Sequence, residues 1–162
     1  MLYNLSMFPK KPTDKQIIGK IGEDYACEYL RKMGYQIVDR NYLKKWGEID
    51  IVAISGSTNP ITRFTGGEFR AKNEKKLHFV EVKSVTHITF PVVLSVHPAN
   101  DLYRPEDNMH PWKLQRLSRV IQSYLLDKDV SDDIDWQFDV VTVYLDANKR
   151  LLKINFLEDI VL

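Results

Sequence analysis

The chain has 162 residues, 44% hydrophobic and 28% charged, which is typical of one globular domain with a sizeable core. It has no apolar run near the roughly 20 residues of a membrane span, its N-terminus is a poor signal peptide, and its single cysteine, Cys27, excludes an intramolecular disulfide and a cysteine-based zinc cluster. We therefore expect a cytoplasmic protein with no membrane partner.

The net charge of +1 is unevenly distributed. Residues 1–83 hold 15 Lys and Arg against 10 Asp and Glu, whereas residues 84–162 hold 8 against 12. A basic first half could place positive potential near a polyanion, although proteins without charged partners show similar asymmetry.

The first predicted element is a helix from Thr13 to about Met33. Thr13 and Gln16 match a capping box, and Gly34 is suited to the C-terminal end. Glu23 lies at the edge of the apolar stripe, beside small residues at Gly19 and Ala26 that would allow close packing. The predicted stripe consists of Ile18, Ile21, Gly22, Tyr25, Ala26, Tyr29 and Met33.

Three strands follow, over residues 35–42, 48–54 and 77–84. In the second, Ile49 and Ile51 are expected on one face, and Asp50 interrupts an Ile/Val run although Asp is disfavoured in strands. The third alternates Glu81 and Lys83 with valines, which indicates either a functional pair or an ordinary half-exposed strand. Residues 55–76 and 97–111 are long irregular insertions that we expect to be mobile.

A second helix is predicted from Pro111 to about residue 127, with an apolar stripe that includes Leu117, Val120 and Ile121. Its cations at three-residue steps form either a phosphate-contacting ridge or a solvated face; they are Lys113, Arg116 and Arg119. Trp112 could stack on a base, but we expect it to anchor the helix in the core.

Strands over residues 136–145 and 151–156 complete the chain. The order α-β-β-β-α-β-β predicts a single α/β domain with a mixed central sheet flanked by helices. The four histidines are expected to be structural or solvated; they are His78, His87, His97 and His110.

Glu23, Asp50, Glu81 and Lys83 form the candidate catalytic set. If the second and third strands pair, Asp50 and Glu81 could ligate one Mg²⁺ or Mn²⁺ ion. Lys83 could position or deprotonate a water, or stabilise a transition state. Glu23 could hold a water of that ion or complete a second site.

Several motifs together resemble the YraN-like family of bacterial proteins. They occur in this order: Gly19 with Gly22-Glu23, Tyr29-Leu30, Gly34-Tyr35, Arg40-Asn41-Tyr42, Gly47-Glu48-Ile49-Asp50, Phe79-Val80-Glu81-Val82-Lys83, Lys113 with Arg116-Leu117, Tyr124-Leu125, and Phe138-Asp139-Val140-Val141. The resemblance implies a restriction endonuclease-like core of the PD-(D/E)xK nuclease superfamily, which includes Holliday-junction resolvases.

By this resemblance, Asp50 and Glu81 match the metal-binding acids, Lys83 the catalytic lysine, and Glu23 the helix-borne acid of the resolvase-like branch. The chain departs from the pattern in its two insertions, in Ser84-Val85 where an Arg is frequent, and in Gln137 before the Phe-Asp pair.

The leading expectation is a divalent-metal-dependent nuclease that hydrolyses DNA phosphodiester bonds, with DNA as partner. The main alternative is a non-catalytic nucleic-acid- or protein-binding module on the same fold, and a third is a protein-interaction domain without a nucleic-acid role. A resolvase-like enzyme needs two active sites, so the resemblance allows a homodimer, which the sequence neither requires nor excludes.

Overall fold

The described residues form two helices and five strands, in the predicted order. The computed structural model describes residues 11–56, 75–86 and 111–162. The elements are α1 (Asp14–Lys32), β1 (Gln36–Lys44), β2 (Gly47–Ser55), β3 (Lys76–Thr86), α2 (Pro111–Asp127), β4 (Asp135–Leu145) and β5 (Leu151–Leu157). Most of the two predicted insertions, together with His87, His97 and His110, lies outside the described residues.

The strands form one mixed sheet in the order β1-β2-β3-β4-β5. β1, β2 and β3 pair antiparallel, β3 pairs parallel with β4, and β5 returns antiparallel to β4. A parallel pair requires a crossover connection, and α2 lies within the one between β3 and β4. The α/β class is confirmed, and the architecture is consistent with a restriction endonuclease-like fold.

The sheet separates two apolar clusters. One is formed with α2 and includes Phe79 and Phe138; the other is formed with α1 and includes Val80 and Val141. Since successive side chains of a strand point to opposite faces, these clusters lie on the two sides of the sheet. Ile49 belongs to the first cluster and Ile51 to the second, so the expectation that they share a face was wrong. Alternation along β2 is interrupted between these residues, opposite the left-handed Asn41 of β1.

Helix α1 begins with the predicted capping box. The Gln16 N–H donates to Thr13 Oγ1 at 3.3 Å, and the Thr13 N–H donates to Gln16 Oε1 at 2.8 Å. The helix ends at Lys32, before Gly34 in the left-handed region. Its buried positions are Gly22, Ala26, Cys27 and Leu30. Met33, predicted in the stripe, is exposed because it follows the last helical turn.

The close approach of α1 to the sheet occurs at Gly22. A Cβ at this position would lie 1.9 Å from Ser84 Oγ and 3.1 Å from Ser84 Cβ on β3. Gly19 has open space around it, so the expectation that it mediates close packing was wrong. The contact brings the residue after Gly22, which is Glu23, towards the part of β3 that follows Lys83.

Helix α2 starts at Pro111, as predicted, and buries Leu117, Val120 and Ile121 against the sheet. Trp112 is 59% exposed, so the expectation that it anchors the helix in the core was wrong. It lies in the first turn, before the buried stripe begins at Leu117. Within the described parts of the chain, no helix is long and apolar enough to cross a membrane.

We expect Gly22→Ala to lower the free energy of unfolding by about 1–2 kcal/mol. Overpacking costs about 1–3 kcal/mol, and the better helix propensity of Ala returns up to about 1 kcal/mol. Gly19→Ala, the matched control, should stabilise the protein because no atom obstructs its Cβ. Urea unfolding measures both. In a Ser84→Ala background the cost of Gly22→Ala should shrink; an undiminished cost would contradict the assigned contact.

Candidate active site

The candidate site lies where β2 and β3 cease to pair. The ladder between them runs from Ser55–Lys76 to Ile51–Val80, and the next residues on the two strands are Asp50 and Glu81. The Val82 N–H donates to Asp50 Oδ2 at 2.6 Å. A side-chain carboxylate therefore accepts a β3 backbone N–H just beyond the last paired residues, and the two acids stand at the fork between the strands.

Glu81 is held by two lysines. Its Oε1 accepts a hydrogen bond from Lys83 Nζ at 2.7 Å and another from Lys113 Nζ at 2.5 Å. The Glu81 side chain is only 12% exposed. Ion pairs that also hydrogen-bond are stronger than neutral hydrogen bonds, so two cations on one oxygen fix this carboxylate in place.

The expected arrangement of β3 is confirmed. Phe79 packs in the α2 cluster, Val80 and Val82 pack in the α1 cluster, and Glu81 reaches Lys113 on α2. Glu81 and Lys83 therefore lie on the α2 side of the sheet. The sequence has no local signal that separates Lys113 from the other helix cations, because its partner is 32 residues away.

The environments of the two acids push their pKa values in opposite directions. Burial and the nearby charge of Glu81 raise the pKa of Asp50 to about 7, although the hydrogen bond from Val82 opposes this. Burial also acts to raise the pKa of Glu81, but Lys83 and Lys113 outweigh it, and this pKa falls below its ordinary value. Near neutral pH, Glu81 is ionised while Asp50 exchanges a proton.

Lys83 is charged in this arrangement. Burial lowers the pKa of its ammonium, but the Glu81 carboxylate outweighs burial and the pKa is raised. While paired with Glu81, Lys83 is therefore a hydrogen-bond donor and not a base.

Glu23 approaches the site from α1 but is held by β1. Asn41 Nδ2 donates to Glu23 Oε2 at 2.8 Å, and a guanidinium nitrogen of Arg40 lies 3.4 Å from the same oxygen and 2.8 Å from Asp24 Oδ1. The negative charge of Glu23 contributes to the raised pKa of Asp50, so the two groups are within electrostatic reach. Glu23 thus lies at the margin of the fork.

Arg40 and Asn41 were not predicted as site residues, and it is the fold that places them beside Glu23. Asn41 adopts a left-handed backbone with φ of 53°, and its neighbours Arg40 and Tyr42 pair with Ile51 and Ile49, on either side of Asp50. A left-handed Asn in a strand is a local distortion, and such positions tolerate Asn better than most residues. The only sequence signal for these residues was the Arg40-Asn41-Tyr42 motif of the family resemblance, to which no role could be assigned from the sequence.

The three cations predicted as a ridge on α2 have different surroundings. Lys113 turns towards Glu81, whereas Arg116 is exposed and its Nε donates to the Trp46 carbonyl oxygen at 2.7 Å. Arg119 is exposed beside Trp46. Contact of these three residues with nucleic acid stays a prediction.

The residues present fit a hard divalent cation that takes few protein ligands. Among residues 11–56, 75–86 and 111–162, no group of three or more His, Cys, Asp or Glu side chains could hold a metal ion. Two carboxylates remain, Asp50 and Glu81, and Mg²⁺ is often bound by one or two carboxylates with water and phosphate oxygens. Within this described part, Asp50 Oδ1 and Glu81 Oε2 receive no hydrogen bond and could face such an ion.

A family model and several related proteins place this chain in the same protein family. The family model described as "Uncharacterised protein family UPF0102" matches residues 22–143. A UPF0102 protein of Caldicellulosiruptor saccharolyticus is 30% identical over 146 residues, which is 90% of this chain and 98% of that protein. A UPF0102 protein of Campylobacter concisus is also 30% identical, over 78% of this chain and 83% of that protein. One of Flavobacterium psychrophilum is 30% identical over 88% of this chain and 91% of that protein.

We expect Asp50→Asn to stabilise the metal-free protein increasingly as pH rises. The carboxyl ionises near 3.8 ordinarily but near 7 in the fold, so the folded state retains its proton more tightly between these values. The free energy of unfolding of the wild type therefore loses a contribution as pH rises from about 4 to about 7. Asn keeps an acceptor for the Val82 N–H and carries no charge.

Thermal unfolding in EDTA measures this effect. The melting temperature of Asp50→Asn should exceed that of the wild type clearly near pH 8 and only slightly near pH 4. One unit of pKa difference corresponds to about 1.4 kcal/mol, so a gain of a few kcal/mol is the upper bound. Asp132→Asn, at an exposed position, is the control. An Asp50→Asn gain that does not change with pH would contradict the raised pKa.

Proposed function

We propose that this chain, which belongs to the uncharacterised protein family UPF0102 (the YraN-like family), is a divalent-metal-dependent nuclease acting on DNA. The family description names no activity, so the proposal rests on the site. The observation that carries this proposal is the strand fork. There, Asp50 and Glu81 stand side by side with Lys83 and Lys113 on Glu81.

This combination of charges suits phosphodiester hydrolysis. Two acids that are partly buried, with pKa values pushed apart, are typical of catalytic sites. A phosphodiester carries a negative charge that increases on attack by water, so its transition state requires cations close by. The two ammonium groups, together with an ion held by the acids, would supply them.

Asp50 and Glu81 would hold the ion through oxygen atoms, as Mg²⁺ and Mn²⁺ prefer. When bound, such an ion lowers the pKa of a coordinated water and offsets charge on the phosphate. Asp50 gives up its proton near neutral pH to become a full ligand. The Val82 N–H binds one oxygen of this carboxylate and leaves the other available to the ion.

Lys83 would act as a donor to the attacking water or to the phosphate. Its pairing with Glu81 keeps it charged, which favours these two roles over proton abstraction. Lys113 comes from α2 on the same side of the sheet and shares the same Glu81 oxygen. Glu23, oriented by Asn41, would hold a water at the margin of the site.

One observation supports the alternative of a non-catalytic module on this fold. Lys83 and Lys113 already neutralise Glu81, so the cluster is electrostatically satisfied as an ion-pair network without any metal. Structural ion pairs of this kind also shift pKa values. A module of this type would bind nucleic acid or protein without an Asp50-dependent ion.

Calorimetric titration with Mn²⁺, followed by incubation with linear and branched DNA, distinguishes the two functions. We expect the wild type to bind Mn²⁺ saturably and to cleave DNA. Asp50→Ala and Glu81→Ala should each lower cleavage by at least about 100-fold, since even residues that only orient metal ligands cost about 10–100-fold. Glu28→Gln, an exposed carboxylate on α1, is the control.

Circular dichroism establishes that each variant is folded. Mn²⁺ binding by Asp50→Ala equal to that of the wild type, or undiminished cleavage by both purified variants, would overturn the proposal. Absence of Mn²⁺ binding and of cleavage by the wild type would favour the non-catalytic module.

A further inference from the structure

Next to the candidate site, an exposed tryptophan is paired with an arginine. Trp112 is 59% exposed, and the guanidinium carbon of Arg116 lies 5.8 Å from its ring centroid, one turn along α2. An isolated exposed apolar side chain needs no explanation. Here, however, the indole lies directly before Lys113, whose ammonium contacts Glu81 in the fork.

A second tryptophan, Trp46, is half-buried against the α2 cluster and borders this surface. Arg116 Nε donates to the Trp46 carbonyl oxygen, and Lys45 Nζ lies 4.6 Å above the Trp46 ring centroid. Trp46 also lines a cavity of about 410 Å³ with Ser118, Arg119 and Gln122 of α2. Trp112, Arg116, Trp46, Lys45 and Arg119 together form what we call the aromatic–basic strip, and every charged residue in it is a cation.

We propose that the aromatic–basic strip binds unpaired nucleotides of DNA, so that the substrate contains a single-stranded segment beside the scissile phosphate. The inference deepens the proposed nuclease function and rests on it for the identity of the substrate. The fork alone does not specify whether the bound DNA is paired or unpaired.

The chemistry of the strip favours single strands over duplex. Proteins that bind single strands combine cations, which follow the phosphates, with aromatic rings, on which bases stack. Within a duplex the base faces are covered by neighbouring pairs, so away from the duplex ends an exposed indole finds a free face only on an unpaired base. Lys113 and Arg119 are six positions apart on the helix, a rise of about 9 Å, which suits one or two nucleotides.

The test compares binding of a short labelled single strand with that of the blunt duplex of the same sequence, by fluorescence anisotropy at low salt in EDTA. We expect tighter binding of the single strand. Trp112→Ala should weaken it by about 10-fold, because stacking of one base is worth about 1–3 kcal/mol and a factor of ten corresponds to about 1.4 kcal/mol. Trp112→Phe keeps a ring and should retain most of the affinity.

Leu126→Ala is the matched control, since Leu126 is an exposed apolar residue of the same helix outside the strip. Duplex binding as tight as that of the single strand, or a Trp112→Ala variant that binds the single strand as the wild type does, would overturn the inference. An effect of Leu126→Ala equal to that of Trp112→Ala would also overturn it.

Because EDTA prevents metal-dependent cleavage, the binding test is independent of activity. Binding of the single strand that depends on Trp112, together with no cleavage of any DNA in Mn²⁺, would support nucleotide binding by the strip and contradict the nuclease function. Metal-dependent cleavage of duplex DNA that is unaffected by Trp112→Ala would support the nuclease function and contradict a role of the strip in binding the substrate.

Discussion

The end of the hydrogen-bond ladder between β2 and β3 is the constraint on which the site depends. Beyond Ile51 and Val80 the strands no longer pair, and the Asp50 carboxylate accepts the Val82 N–H. If the ladder continued, Asp50 and Glu81 would face each other as two like charges across a sheet, which is unfavourable. At the fork, Asp50 has a backbone donor and Glu81 has two lysine partners, and the two acids lie side by side.

The two helices converge on this fork from opposite sides of the sheet, and each approaches through a glycine. Gly22 of α1 lies against Ser84 of β3, and Gly47 of β2 lies against α2, where a Cβ would come within 3.2 Å of Val120. Close packing determines which side chains reach the fork. From α1 it is Glu23, and from α2 it is Lys113, so the acid and the cation arrive on different faces.

A second buried polar cluster stabilises the other end of the sheet. His78 is 3% exposed, with Nδ1 2.7 Å from Asp139 Oδ2 and Nε2 2.7 Å from Ser55 Oγ. The fully buried Asp139 also accepts from Gln137 Nε2 and the Asp159 N–H, so the cluster joins β2, β3, β4 and the C-terminal segment. Although its order is Ser-His-Asp, the burial of His78 and Asp139 indicates a structural network.

The sequence by itself determined the order of the elements, the two helix starts and the alternation along β3, because capping residues, proline and periodicity act locally. It also pointed to Asp50, Glu81 and Lys83, since charges inside apolar strands break a local rule. Only the tertiary structure decided that Lys113 contacts Glu81, that Gly22 rather than Gly19 meets β3, and that Trp112 stays exposed. These depend on where the strands stop pairing and how closely the helices pack, which are contacts between residues far apart in the chain.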